Sequence, residues 1–272
     1  LQFLNHLMVG QYIPTGSPVH RLDPRAKIGA LFFSLVGIFA VRDLLVASIW
    51  ALIFLALLRL SRLPFWVVTR GIRSVLLLVV ITASVHLFFA EGRALLEIGP
   101  LRITDQGVWF ALLFSLRLTL LILYSSLLTL TTSPFEIADG LERMLKPLSR
   151  VGFPSHEVSM MLTIALRFIP TLMDEADRIV KAQVSRGARI ETGGLMGRVR
   201  AFVPVLVPLF FSVFKRAEEL AVAMESRCYR GGEGRTRMKE MRWSLRDSLF
   251  LLASLSVAVA LGLWGRKGPL AL

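Results

Sequence analysis

Runs of apolar residues long enough to cross a bilayer constrain this chain more than any other feature. A helix needs about twenty mostly apolar residues to span roughly 30 Å of hydrocarbon. Four or five such runs stand in a chain of 272 residues, 54% of them hydrophobic. Between the last two lies a long stretch too charged for lipid. The expectation is an all-α, polytopic membrane protein with about five transmembrane helices and a cytoplasmic domain of long, proline-kinked helices. Residues 1–132 form a membrane region of four spans, residues 133–244 the cytoplasmic segment, and residues 245–272 a last span and tail.

The spans follow from where charge interrupts them. Ala26 to Leu60 is apolar apart from Arg42-Asp43 and Arg59, and reads as a hairpin turning at Arg42-Asp43. Each arm is short, and crossing would require tilt or a thinned bilayer. Ile72 to Ala90 is the third span, Gly107 to Thr132 the fourth, interrupted by Arg117, and Leu245 to Trp264 the fifth. Between the third and fourth, Gly99-Pro100 marks a turn in an acidic loop. Basic residues collect in cytoplasmic loops, so the Arg62 to Arg73 loop is expected inside and Glu97 outside. Arg266 and Lys267 then fall outside, against the rule, in a short tail.

Lysine and arginine number 32 against 19 acids, a net charge of +13. No basic segment alternates with an aromatic stacking platform, so the charge points to membrane interfaces rather than nucleic acid. Cys228 is the single cysteine, which excludes an internal disulfide and a thiolate metal cluster. Leu1 to Arg25 lacks a short apolar core ending in a cleavage site, so no removable signal peptide is expected. There is no Gly-x-x-x-x-Gly-Lys-Ser/Thr, so the chain is expected to bind no nucleotide or other cofactor itself. No metal site and no catalytic residue is expected. His86 reads as a packing histidine, and Arg117 as partnered by a carbonyl, an acid or an interface.

Capping signals punctuate the rest. Asp23-Pro24 is an N-cap followed by proline at the first helical position. Ser133-Pro134-Phe135-Glu136 opens a short amphipathic helix to about Lys146. A second helix runs from Ser155 to Gly187, with Pro170 expected to kink it. A third runs from Met196 to about Tyr229 and carries Pro204 and Pro208, with Gly231-Gly232-Glu233-Gly234 as its terminator. Both are apolar in their first half and amphipathic in their second.

These two long helices end alike. At an offset of 41 residues Ala176 falls on Ala217, Ala182 on Ala223, Ser185 on Ser226 and Arg186 on Arg227. An arginine in a last helical turn is favoured by the helix dipole by about 0.3–1 kcal/mol, which explains one such residue. Two at matched positions suggest that each presents its planar fork to one of two similar sockets. Met160, Met161, Met173 and Met196 give either an adaptable partner surface or internal core.

Several motifs together resemble the transmembrane T component of energy-coupling factor transporters, over nearly the whole chain. Gly10-x-Tyr12 and Gly16-Ser17-x-x-His20-Arg21-Leu22-Asp23-Pro24-Arg25-x-Lys27 are similar to its N-terminal signature. Thr131-Thr132-Ser133-Pro134, Gly140-Leu141-Glu142, Pro147-Leu148, Arg167-Phe168-Ile169-Pro170 and Ala182-Gln183-x-Ser185-Arg186-Gly187 are similar to its cytoplasmic helices, and Glu225-Ser226-Arg227-Cys228-Tyr229 to its second coupling motif. The family motif is commonly Ala-Arg-Gly, and this chain departs from it at Ser185, Ser226 and Cys228.

The resemblance implies a non-catalytic subunit of an ATP-driven transporter in a prokaryotic plasma membrane. Two cytoplasmic ABC ATPase subunits, which bind ATP and Mg, would take Ser185, Arg186, Gly187, Ser226, Arg227 and Cys228. A membrane S component that binds the vitamin or micronutrient would pack on Met160, Met161, Ala165, Phe168 and Met173. The alternatives are a dedicated cobalt or nickel version of the same component, an integral membrane enzyme, and a scaffold without ATPases.

Overall fold

The computed structural model describes residues 12–98, 101–145, 147, 154–188, 195–229, 231 and 243–264. Gly10, the turn signals Gly99-Pro100, Gly152-Phe153, Gly193-Gly194 and Gly232-Glu233-Gly234, the tail residues Arg266 and Lys267, and the side chain of Met196 lie outside them. The elements run α1 (Pro24–Phe39), α2 (Leu44–Ser61), α3 (Phe65–Phe89), β1 (Ala94–Ile98), β2 (Leu101–Thr104), α4 (Asp105–Thr131), α5 (Pro134–Leu145), α6 (Ser155–Ser185), α7 (Leu195–Ser226) and α8 (Leu245–Trp264). Among the described residues the chain is all-α apart from one hairpin. It divides into two compact units, one spanning Gly10–Arg143 and Glu240–Leu272, the other containing α6 and α7.

In the first unit α2, α4 and α8 are long and apolar enough to cross a membrane, and α3, bent by 61° near Arg73, is a fourth when its two parts are taken as one span. The hairpin expected at Arg42-Asp43 is present, with Asp43 capping α2 through the Leu45 amide. Its first arm, α1, has 16 residues. At about 1.5 Å per residue it is roughly 24 Å long, shorter than the hydrocarbon. The acidic loop is not irregular: β1 and β2 pair antiparallel, with Leu96 opposite Ile103 and Ile98 opposite Leu101. The alternation of apolar residues on either side of Gly99-Pro100 carries that signal.

The core joins α2 to α4. Trp50, Phe54, Leu120, Leu127 and Tyr124 are buried, the Tyr124 hydroxyl donates to the Trp50 carbonyl (3.2 Å), and the Trp50 and Tyr124 rings meet edge to face at 5.8 Å. Between α1 and α8 the contact is backbone-close at Gly37, where a Cβ would lie 2.6 Å from Trp50 and 3.1 Å from Ala258. Small residues serve membrane helices in this way, because close backbone approach replaces the missing hydrophobic drive. Arg117 finds a carbonyl, that of Val41 in the α1–α2 turn, and lies 4.8 Å over the Phe114 ring. His86 stacks on Phe114 at 4.3 Å and bonds the Thr82 carbonyl, the packing role its sequence position suggests.

The N-terminal signature holds these helices together. Asp23 caps α1 through the Arg25 amide (2.9 Å) and takes both Nε and Nη2 of Arg25 at 3.0 Å. Its own amide donates to Oδ1 of Asp247 on α8 (2.8 Å). Lys27, 4% exposed, donates to the His20 carbonyl (3.0 Å) and to the Thr131 carbonyl at the end of α4 (3.2 Å). Gly140 of α5 lies against Pro24, where a Cβ would come within 3.2 Å. Ser133 and Glu136 form the expected capping box at the start of α5, each bond 3.3 Å. The Nε2 of His20 faces the Ile13 carbonyl (3.0 Å), which only accepts, and Nδ1 faces Ser17 Oγ (2.6 Å), so a neutral ring donates from Nε2 and accepts at Nδ1. Burial, with help from the Lys27 charge, pushes the His20 imidazole below its usual value of 6.5.

Two outcomes follow for the purified protein. Replacing Lys27 with methionine takes the donor from the buried Thr131 carbonyl and the half-buried His20 carbonyl and should cost about 3 kcal/mol in thermal or denaturant unfolding. The same change at exposed Lys181, an i,i+4 partner of Asp177, should cost about 0.3–0.5 kcal/mol. Because folding lowers the His20 pKa, the unfolded chain binds more protons below its ordinary value, and stability should fall as pH drops through about 6.5. Asp23 acts in the same sense at lower pH. Burial raises its carboxyl, but the Arg25 bonds outweigh that and hold it below the usual 3.8. A melting series from pH 8 to 5 should show the loss, and His20→Gln should flatten it.

Candidate coupling site

The second unit contains the two long helices whose ends match in sequence. Pro170 lies inside α6, which continues past it to Ser185, and α7 likewise continues past Pro204 and Pro208 to Ser226. The two helices pack on each other, and Arg216 Nη2 meets Glu175 Oε2 at 3.5 Å. These are equivalent positions in the 41-residue offset, so the helices touch at a point common to both copies.

The two ends have one geometry. In α6 Arg186 is the cap residue and Gly187 turns left-handed (φ +90°). The Gly187 amide donates to Val184 O (2.9 Å) and the Ala188 amide reaches back to Gln183 O (3.0 Å). In α7 Cys228 is the left-handed residue (φ +56°), its amide donates to Glu225 O (2.8 Å), and the Tyr229 amide reaches Met224 O (3.0 Å). Each is a Schellman cap, the paired 6→1 and 5→2 bonds that satisfy a helix's last carbonyls. Position for position the caps match the serine, the arginine and the left-handed residue. The likeness of the two ends, visible in sequence as four identities, is therefore a likeness of backbone. It also places the end of α7 at Ser226, before the glycine run expected to terminate it.

Chemistry at the caps is simple. Ser185 Oγ donates to Lys181 O (3.0 Å) and Ser226 Oγ to Ala223 O (3.1 Å). Both hydroxyl protons are thus turned back on the helix, and serine here stands where alanine would serve. Arg186, Gly187, Arg227 and Cys228 are exposed. The guanidiniums sit where a reversing backbone leaves room around them, and neither makes an ion pair among the described residues. Cys228 adopts a conformation that glycine takes without cost and an L-residue does not.

The five apolar positions expected to meet a membrane partner divide. Met161, 65% exposed, and Ala165 are open, while Met160, Phe168 and Met173 are half-buried. A stronger apolar surface lies on α7, of which the sequence shows only an apolar half-helix. Val203, Leu206, Val207, Phe210, Phe211 and Phe214 are all exposed. Their spacing of i, i+3, i+4, i+7, i+8 and i+11 is the signal that finds them, since such positions line one face of a helix.

Comparison with known proteins gives a consistent answer. The family model described as cobalt transport protein (CbiQ) matches residues 15–238. An energy-coupling factor transporter transmembrane protein (EcfT) of Thermanaerovibrio acidaminovorans is 53% identical over 92% of this chain and 93% of its own. Proteins of the same name from Thermosediminibacter oceani and Clostridium kluyveri are 48% and 46% identical, over 94% and 97% of this chain and 97% and 100% of theirs.

The cap geometry makes a local prediction. Cys228→Gly should relieve about 1 kcal/mol of backbone strain, and Gly187→Ala should introduce a similar cost. Hydrogen exchange reads each separately: protection of the Tyr229 amide should rise in the first variant and that of the Ala188 amide should fall in the second. Unchanged exchange at both amides would mean that the left-handed turns do not hold the caps.

Proposed function

The chain belongs to the cobalt transport protein family and, within it, to the energy-coupling factor transporter transmembrane proteins; from that premise we propose that its two Schellman caps dock two cytoplasmic ABC ATPase subunits and carry their motion to a substrate-binding S component. As a transmembrane component the chain is a transport subunit, with ATP and Mg held by the ATPases. Residues 133–244 are the cytoplasmic coupling segment, and the segment from Arg62 to Arg73, which the structure makes the α2–α3 turn and the first part of α3, faces the same side. Glu191 and Arg235, which lie outside the described residues, belong to that side as well. Arg186 and Arg227 enter matched sockets on the two ATPases, each with Ser185-Gly187 or Ser226-Cys228 fixing its direction. The observation that carries the proposal is the pair of matching caps, each with an exposed arginine at the same position. A lone dipole-compensating arginine would need no such match.

The S component packs on Met161 and Ala165 of α6 and on the α7 stripe from Val203 to Phe214. When ATP binding closes the ATPases, the caps move with them and α6 and α7 shift beneath that partner, which carries the vitamin or micronutrient across. A dedicated cobalt or nickel importer is the second reading, favoured by the description of the matching family. In that case the same caps serve, and the cargo is chosen by a different S component.

The test is pull-down of the ATPases with uptake of substrate, at matched membrane levels. Arg186→Ala or Arg227→Ala should cost about 0.3–1 kcal/mol in stability. Losing one anchored arginine should cost about 2 kcal/mol or more in binding. The Arg186→Glu/Arg227→Glu double variant should insert normally yet retain neither ATPases nor transport. Normal pull-down and uptake by that variant would reduce the arginines to helix-end charges.

A further inference from the structure

We infer that the α2–α3 turn holds an anionic phospholipid, with its acyl chain in a groove along α2 and its phosphate between Arg59 and Arg62. A groove of about 640 Å³ opens at this turn, with Leu52, Leu55, Arg59, Arg62 and Phe65 among its lining residues. Its wall is apolar for nearly two turns of α2, where Leu52 and Leu55 are exposed, and it ends at Arg59 and Arg62. That sequence of surfaces matches a lipid read from tail to headgroup.

Two independent observations say that the charged end is made for an anion. Arg62 adopts left-handed backbone (φ +53°), and its amide donates to Arg59 O (3.2 Å). This reversal folds Arg62 back over the last turn of α2, so that both arginines line one groove. Among the described residues only Arg62 and Cys228 depart from glycine at positive φ. A glycine would end α2 at less cost, and strain retained at a charged residue marks a site where the side chain is needed. Secondly, the segment from Ser61 to Arg73 contains Arg62, Arg70 and Arg73 and no acid. Neither Arg59 nor Arg62 makes an ion pair among the described residues, so the groove has uncompensated positive charge. Trp66, 85% exposed beside it, is a residue favoured at headgroup depth.

The occupant is a diacyl lipid rather than free phosphate, because a phosphate would leave the apolar part of the groove open. A zwitterionic lipid would fill the groove but leave the charge unbalanced. Basic residues near a membrane surface attract anionic headgroups, and the structure assigns that attraction to two of the four arginines around this turn.

The experiment uses the full chain purified in mild detergent, with bound lipid counted by native mass spectrometry and lipid-dependent melting as a second readout. The probes are dioleoyl phosphatidylglycerol, dioleoyl phosphatidylcholine, dihexanoyl phosphatidylglycerol and inorganic phosphate. Long-chain phosphatidylglycerol should bind with one copy retained per chain and raise the melting temperature, and the other three should do so weakly. Arg59→Gln/Arg62→Gln should weaken it roughly thirtyfold, the effect of removing two basic residues beside an anionic headgroup. Arg70→Gln/Arg73→Gln, an equal loss of charge, should weaken it no more than about threefold. Leu52→Trp fills the groove from an exposed position and should weaken long-chain lipid while leaving the arginines in place. Equal loss in the two arginine pairs would show a diffuse surface charge and overturn the site. Equal binding of phosphatidylcholine, of the short-chain lipid or of inorganic phosphate would overturn the assigned ligand.

Discussion

A buried ammonium holds the membrane unit together. Lys27 sits inside protein and donates its N–H bonds to the carbonyls of His20 and Thr131. Those oxygens belong to the N-terminal lead and to the last turn of α4, two places where regular hydrogen bonding stops. Water satisfies such groups at a protein surface, but near hydrocarbon the protein must supply the donor. Lysine does so with three N–H bonds on a reach long enough to join both segments. Around it Asp23 caps α1, Asp247 takes the Asp23 amide from α8, and Gly140 lets α5 lie on Pro24. The lead, α1, α4, α5 and α8 therefore meet at one polar joint, and the string from His20 to Lys27 is its material.

The helix caps of the other unit are likewise self-sufficient. A helix that ends in a Schellman turn satisfies its own last carbonyls, which frees the arginine at the cap from that duty. Arg186 and Arg227 need no local partner for the helix to end properly, and both are exposed. That freedom separates an arginine offered to a partner from one that merely balances a dipole. The departures from Ala-Arg-Gly are intelligible on the same terms. The serine hydroxyls bond their own helices, and Cys228 takes the left-handed turn at a modest cost without altering the arginine beside it.

Much of this is legible in the sequence because each signal is local. Asp23-Pro24 and Ser133-x-x-Glu136 cap helices by contacts within three residues, and the Arg42-Asp43 turn interrupts an apolar run that has few ways to fold. Hidden features depend on partners far along the chain. Nothing near Asp247 says that its carboxylate receives an amide from residue 23, and nothing near Arg117 selects the Val41 carbonyl. The acids around the β1–β2 hairpin suggest a solvated loop, although the apolar residues alternate. The end of α7 reads too late from sequence, because a cysteine in a left-handed turn carries no signature, whereas the glycine run beyond it does. The exposed stripe on α7 is present as periodicity, but from sequence an apolar half-helix reads equally as core.

On the proposed function this chain is the joint between two ATPases and a membrane S component. Affinity purification of the unaltered protein from its native membrane in mild detergent, with the mass and subunit ratio of the complex measured intact, tests it most directly. One copy of this chain should emerge with two ATPase subunits and one small membrane protein. A chain that purifies alone, or only with copies of itself, under conditions that keep it folded would contradict it.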